Sequence, residues 1–314
     1  MTNRIKTLAQ LTPLATLVSS TRATTDEELA RTWLQRFKSP HTRRAYQLDI
    51  ELYGKEVGLP LVELKVEDLL NYRDRLGKGT EQGGLAYSIP RQRRALTALK
   101  SLLTFAKDTG YLPFNVGTVV ELPDLETNLS QRISTEGEIL TILALTKNPF
   151  EKALLALLYK TGLRNSELCN AKWKDLSLDG DRGFLKVLGK GGKLRTVLID
   201  GDVLALVLPL QGDSSEEKTI FSTRTGKPLL PVQVWRICKR RAVEAGVKLS
   251  PDGKTEGTRF SPHFFRHAHA SHALDNGASP ALVMENLGHK SLDTLSKYAH
   301  ARPKDGSGRY LKVA

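Results

Sequence analysis

The segment from Ser261 to His300 constrains the fold of this chain more than any other stretch of its sequence. Ser261-Pro262 and Ser279-Pro280 are typical helix starts, with serine as N-cap and proline at the first helical position, and Ser291 is suited to cap a third helix. Gly288 is suited to end the second of these helices. The segment carries five histidines before its last residue, one arginine, one tyrosine and no cysteine. It therefore predicts short helices whose reactive groups suit phosphate chemistry better than metal binding.

The first of these helices brings cationic groups to a helix N-terminus. His263, Arg266 and His267 are three and four residues apart, so they share one helical face. Backbone N–H groups at such an end attract anions, and a phosphate there would meet these side chains and the helix dipole together. The alternative is a zinc site built from His263, His267, His269 and His272. Because Arg266 would repel a cation, we expect no metal, and we expect His269 and His272 to be structural.

A second arginine of interest stands upstream, where a helical pattern resumes after Gly162. The guanidinium of Arg164 can fork onto two phosphate oxygens, which a lysine cannot do. Glu167 lies three residues further along the same helical face and could orient that guanidinium. Taken alone, Arg164 would more often be a surface or salt-bridged arginine, so its interpretation depends on the rest of the chain.

Composition points to a polyanionic partner. The formal net charge is +13 and the isoelectric point is near 9.7, which favours nucleic acid. Cys169 and Cys238 have no CxxC spacing, so we expect reduced cysteines and a cytoplasmic, nucleoid-associated protein. No apolar run approaches the ~20 residues of a membrane span.

The pattern of helix signals, prolines and glycines divides the chain into segments. We predict an N-terminal arm over 1–23, which is not a targeting segment, and a helical DNA-binding domain over 24–110. An interdomain linker over 111–133 precedes a second domain over 134–300, and 301–314 forms a C-terminal tail. The β-prone runs 184–188 and 194–199 flank a glycine-rich turn and predict a hairpin. The fold class is thus mainly α with a small antiparallel β-sheet.

Five motifs in this order resemble the catalytic domain of the tyrosine recombinases, also called the phage-integrase or Xer-type family. They are Thr161-Gly162-Leu163-Arg164, Gly189-Lys190-Gly191, His263-Phe264-Phe265-Arg266-His267, Leu287-Gly288-His289 and Tyr298. The resemblance covers about 134–300. Phe265 replaces a common leucine and Leu295 a common threonine, and neither position touches a reacting group.

The resemblance implies a helical core-binding (SAM-like) domain followed by a mixed α/β catalytic domain. It also implies a site-specific recombinase that cleaves and rejoins DNA strands through a 3′-phosphotyrosine intermediate, without metal, ATP or any other cofactor. The implied roles are Tyr298 as nucleophile, Arg164 and Arg266 as phosphate clamps, Lys190 as general acid, His263 in proton transfer and His289 as a phosphate ligand, with Glu167 and His267 in support.

The expected partner is double-stranded DNA with paired recombination sites, gripped by both domains. Most basic side chains would contact phosphate rather than bases. The candidates are Arg43, Arg44, Arg91, Arg93, Arg94 and Lys100 in the first domain and Lys239, Arg240 and Arg241 in the second. We expect a monomer or weak oligomer when free and a homo-tetramer on synapsed DNA. Family members pass their C-terminal segment to a neighbour, so the tail over 301–314 would dock in trans.

Other function classes stay open at this stage. A type IB topoisomerase shares the tyrosine and arginine chemistry, but it would relax supercoils as a monomer without paired sites. A non-catalytic DNA-binding protein would use the basic helices, yet it has no need of Tyr298 together with Arg164, Arg266 and Lys190. A metal-dependent nuclease fits least well, because the cationic side chains could neutralise the phosphate.

Overall fold

The computed structural model describes residues 19–78, 86–124, 133–189, 192–247 and 260–288. They fall into two compact units, unit 1 within Met1–Thr127 and unit 2 within Asn128–Ala314. The predictions for Lys190, His289, Ser291, Tyr298 and the two chain ends over 1–18 and 301–314 lie outside the described residues.

Unit 1 consists of helices packed around aromatic and leucine side chains. Its helices are α1 (Asp26–Gln35), α2 (Pro40–Glu56), α3 (Val66–Lys78) and α4 (Ile89–Asp108). The Trp33 ring stacks on Tyr46 at 5.5 Å between centroids, and its indole N–H donates to Ser101 Oγ at 3.2 Å. Helices α2 and α4 both carry proline in their first turn, after the N-cap residues Ser39 and Ser88.

Unit 2 surrounds a small sheet with helices. Its elements are α5 (Glu136–Leu145), α6 (Pro149–Thr161), α7 (Asn165–Asn170), β1 (Leu176–Asp179), β2 (Arg182–Leu188), β3 (Leu194–Ile199), α8 (Gly201–Val207), α9 (Pro231–Glu244), α10 (Pro262–Asp275) and α11 (Pro280–Leu287). The strands pair in the order β1-β2-β3, all antiparallel, with Leu185 opposite Val197. The predicted fold class, mainly α with a small antiparallel sheet, is confirmed.

Helix α6 is the centre of unit 2. Its residues from Ala153 to Tyr159 are all buried, and it packs against α8, α10 and β3. Such an all-round apolar helix belongs in a core rather than at a surface. The C-terminal ends of α6 and α11 lie beside the N-terminal half of α10. The catalytic candidates among the described residues lie in this place.

None of the helices within the described ranges combines the length and the apolar character needed to cross a bilayer.

Candidate active site

The end of α6 turns sharply at Gly162. Gly162 adopts the left-handed conformation (φ 62°), and its N–H donates to the Leu158 carbonyl at 3.0 Å. A Cβ added there would lie 2.6 Å from Leu287 Cδ2 and 2.7 Å from His269 Cδ2. Glycine is required on both counts, and the turn directs the chain towards Arg164.

Glu167 holds two arginines at the start of α7. Its carboxylate accepts from Arg164 Nη1 and from the Arg164 backbone N–H, each at 2.8 Å. On the other side Arg195 donates from Nη1 to Oε1 at 3.0 Å and from Nη2 to Oε2 at 2.7 Å. The prediction that Glu167 could orient Arg164 thus has matching geometry, although its role in function stays a prediction.

The charge of Glu167 is fixed by these contacts. Burial by itself would raise the pKa of the Glu167 carboxyl, but hydrogen bonds from Arg195 and from the backbone and side chain of Arg164 lower it to about 2. The carboxylate is therefore ionised at every pH at which the protein would work.

Arg266 reaches the same place from the N-terminal half of α10. It is buried, and it donates to the Gly162 carbonyl at 2.6 Å and to the Leu287 carbonyl at 2.7 Å. Arg164 Nη2 makes a longer contact, 3.5 Å, with the carbonyl of Gly288, the residue after Leu287. Two guanidinium groups from separate helices therefore converge on the C-terminal end of α11.

His263 lies one turn before Arg266 on α10, and its side chain is exposed. The surrounding protein lowers its pKa by desolvation, and the positive charges of Arg266 and Arg164 lower it further. A neutral imidazole beside two cations can accept a proton, which is what a general base requires. His267 is half-buried, with its ring centroid 6.4 Å from that of His263.

His269 and His272 occupy the interior of the unit. His269 Nδ1 lies 2.8 Å from the Tyr159 carbonyl and Nε2 lies 3.1 Å from Asn286 Nδ2. His272 bonds the carbonyl of Ser134 through Nε2 and the Tyr159 hydroxyl through Nδ1, each at 3.0 Å. Burial lowers the pKa of His269 to about 4, so this ring is neutral near pH 7. Within the described ranges, no group of three or more histidine, cysteine or acidic side chains is arranged to hold a metal ion.

The structure thus brings Arg164, held by Glu167, together with Arg266 at the end of α11. It places His263 and His267 on α10 within one helical turn of Arg266. Lys190, His289 and Tyr298 lie outside the described residues. The serine expected to cap α10 differs in detail, because Ser261 occupies the N-cap position without a side-chain capping bond.

The predicted DNA contacts in unit 1 fall into two groups. Arg43 and Arg44 are exposed on α2. The others have partners within the unit: Arg91 lies over the Tyr87 ring, Arg93 donates to the Pro123 carbonyl, Arg94 to Asp49 and Lys100 to the Val120 carbonyl. Arg43 and Arg44 are consequently the stronger candidates for phosphate contact.

The candidates in unit 2 also have partners on or near α9. Lys239 lies over the Trp235 ring at 5.2 Å. Arg240 and Arg241 both pair with Glu151, the former at 2.5 Å and the latter at 2.6 Å. The two guanidinium groups differ in exposure, because the Arg240 side chain is 54% exposed and that of Arg241 only 17%. Arg240 is therefore the better placed of the two to reach a phosphate.

Sequence reasoning missed Arg195, although the sequence contains a signal for it. Side chains alternate along a strand, so Arg195 shares the face of Val197 and Ile199, which are buried. An arginine on the core face of a strand must find a buried partner. That partner is Glu167, in the segment already singled out.

Comparisons with known proteins bear on the same residues. The model of the phage integrase family matches residues 133–305. Tyrosine recombinase XerD of Staphylococcus saprophyticus is 28% identical over 291 residues, with 88% of this chain and 92% of that protein covered. Two solved structures share the fold: the XerH site-specific recombinase bound to its difH substrate (TM-score 0.67, 17% identity, 93% and 86% covered) and a lambda integrase tetramer bound to a Holliday junction (TM-score 0.66, 20% identity, 91% and 83% covered).

Proposed function

The chain belongs to the phage integrase family, and from that premise we propose that it cleaves and rejoins DNA strands as a site-specific tyrosine recombinase. One observation carries the proposal: Arg164 and Arg266, from separate helices, converge on the end of α11, and His263 lies one helical turn from Arg266. Two guanidinium groups and a neutral imidazole form a site for a phosphodiester, where preorganised donors stabilise the charge that develops in the transition state.

The chemistry divides among these residues and the motif residues outside the described ranges. The Tyr298 oxygen forms a bond to phosphorus as the bond from phosphorus to the 5′-oxygen breaks, which leaves a 3′-phosphotyrosine link. His263 assists removal of the tyrosine proton, and Lys190 supplies a proton to the leaving 5′-oxygen. Arg164, Arg266 and His289 bind the non-bridging oxygens, with Glu167 and His267 in support. A 5′-hydroxyl from a second strand reverses the step, so neither ATP nor a cofactor is consumed.

The substrate we propose is double-stranded DNA carrying paired recombination sites. The formal charge of +13 supports a polyanionic partner, and the XerH neighbour was solved on its difH substrate. By the same reasoning we propose a homo-tetramer on synapsed DNA, since the lambda integrase neighbour is a tetramer on a Holliday junction. A protein with this substrate would work at the nucleoid, in the cytoplasm.

Covalent trapping tests the proposal. Nicked duplexes made from the DNA flanking the protein's own gene would be incubated with wild type, Tyr298→Phe or the matched control Tyr310→Phe, all in EDTA. We expect an SDS-resistant protein–DNA adduct with wild type and Tyr310→Phe and none with Tyr298→Phe, which should still bind the DNA.

The opposite results are equally clear. An undiminished adduct with Tyr298→Phe would move the nucleophile to another residue. An adduct that forms only when Mg²⁺ is restored would contradict charge neutralisation by the arginines. Tight, salt-sensitive binding without any adduct, on a library of duplexes that covers candidate sites, would favour a DNA-binding protein without catalysis.

A further inference from the structure

We propose that Arg195 is a positioning residue of the recombinase: it fixes Arg164 through Glu167 and ties the end of α11 to the same carboxylate. The inference rests on the proposed function for what Arg164 does, but not for where Arg195 lies. It concerns a residue of β3 that belongs to none of the five motifs.

Arg195 uses its whole guanidinium group in these contacts. Nη1 and Nη2 fork onto the two oxygens of Glu167 at 3.0 and 2.7 Å, and Nε donates to the Asn286 carbonyl at 2.8 Å. Its side chain is 11% exposed and that of Glu167 is 3% exposed. The cation therefore spans β3, α7 and α11 in a place from which water is largely excluded.

The same guanidinium lies beside two glycines. A Cβ added at Gly189 would lie 3.3 Å from Arg195 Nη1, and one added at Gly288 would lie 3.3 Å from Arg195 Cδ. Gly189 immediately precedes Lys190, and Gly288 immediately precedes His289. Arg195 is thus a common neighbour of one glycine in each of two motifs and of the carboxylate that binds Arg164, the arginine of a third.

Because Arg195 and Arg164 share Glu167, Arg195 restricts where the Arg164 guanidinium can lie. A carboxylate held by Arg164 alone could rotate about its side-chain torsions and carry the guanidinium with it. A second, bidentate arginine removes that freedom, because both carboxylate oxygens are then fixed in one plane. Lysine cannot replace this arrangement, since an ammonium group cannot present two parallel donors to Glu167 and a third to Asn286.

The first test is single-turnover cleavage of the trapping substrate by Arg195→Lys. Misplacing a catalytic group by about 1 Å can cost about 100-fold in rate, and we expect a loss of that order with DNA binding retained. The matched control is Arg73→Lys, because Arg73 also donates from two guanidinium nitrogens to a carboxylate, that of Asp74, and is not among the candidate DNA contacts. We expect that variant to cleave at nearly the wild-type rate.

Combining variants separates positioning from a general loss of structure. If Arg195 acts through Arg164, Arg195→Lys should have almost no further effect in an Arg164→Ala background. The proposal would be overturned if the rate losses of the two substitutions multiplied in the double variant. It would also be overturned if Arg195→Lys alone cleaved like wild type. Where Arg195→Lys melts well below wild type, Arg195→Met, which keeps the chain length without the charge, takes its place.

A readout independent of cleavage is the His263 titration, followed by NMR. The positive charge of Arg164 is among the causes that lower the His263 pKa, so Arg164→Ala should raise it. Arg195→Lys, which leaves the formal charge unchanged, should raise the His263 pKa too if Arg164 moves away, and Arg73→Lys should not. An unchanged His263 titration in Arg195→Lys would overturn the proposal.

The cleavage assay and the His263 titration together distinguish failure of the proposed function from failure of the role proposed for Arg195. Wild type without any adduct would contradict the proposed function, and the His263 titration would still decide whether Arg195 fixes Arg164. A wild-type adduct together with normal cleavage by Arg195→Lys would contradict only the role of Arg195.

Discussion

Both units of the protein contain an arginine forked onto a buried carboxylate, and the two arrangements differ in one respect. In unit 1, Arg94 donates to both oxygens of the fully buried Asp49, at 2.8 and 3.0 Å, and remains 42% exposed. In unit 2, Glu167 is shared by Arg164 and Arg195. The first pair is one cation to one anion, whereas the second leaves an excess positive charge. An ion pair of equal charges stabilises a fold, while a carboxylate shared by two arginines leaves one positive charge that can also attract a phosphate.

The largest effect expected from this comparison is on cleavage. Removing Arg164 takes away a preorganised donor and should lower the single-turnover rate by about 10²–10³-fold. Arg94→Ala should leave that rate within a few-fold of wild type at saturating DNA, although it weakens unit 1. The check is adduct formation on the trapping substrate with both variants at the same DNA occupancy. Equal losses would remove the distinction between the two pairs.

A smaller effect should appear in acid. The folded-state pKa of Glu167 is lowered from 4.5 to about 2, so its contribution to stability is fully present above pH 4.5 and is lost as pH falls towards 2. The shift corresponds to about 3 kcal/mol. Denaturant unfolding of wild type and Glu167→Gln at a series of pH values should give a stability difference that narrows over that window. A difference that does not change with pH would mean that the carboxylate is not held as described.

How far the sequence predicts the protein depends on which groups do the bonding. Helix boundaries such as Ser261-Pro262 and Ser279-Pro280 were predictable because serine, proline and glycine act locally. The hairpin followed from its two β-prone runs. Strand β1 was missed because it has four residues and ends in Asp179. Helix α8 was missed although Asp200 stands at its N-cap position, because the helix has seven residues and begins at glycine, a poor helix former.

The residues of the candidate site also differ in whether the sequence predicted their bonding partners. Arg164 and Glu167 were predictable as neighbours because they are three positions apart at the start of one helix. The partners of Arg266 were not, since they are backbone carbonyls of Gly162 and Leu287, and every residue carries a carbonyl. Arg195 lies between these cases, because the alternation of β3 marks it but only the fold supplies Glu167.

The smallest effect concerns DNA affinity and the surface of unit 1. Removing one cation that binds a DNA phosphate should reduce the slope of log affinity against log salt by about 1. Arg43→Gln with Arg44→Gln should flatten the slope, since both side chains are exposed on α2. Arg93→Gln is the matched control, because its guanidinium donates to the Pro123 carbonyl at 2.7 Å. Fluorescence anisotropy across a salt series measures the slope for wild type and both variants, and an equal change in the control would show that exposure does not identify the DNA-binding residues.

The turn at Gly162 has a consequence for protein engineers who would retarget such an enzyme by exchanging segments with a relative. One extra carbon at this position would lie less than 3 Å from side-chain atoms of both Leu287 and His269. The carbonyl of the same residue accepts from Arg266. A chimaera with a junction between the end of α6 and the start of α7 would therefore disturb three helices at once. Junctions placed before α6 and after α11 would transfer this core as a single interchangeable part.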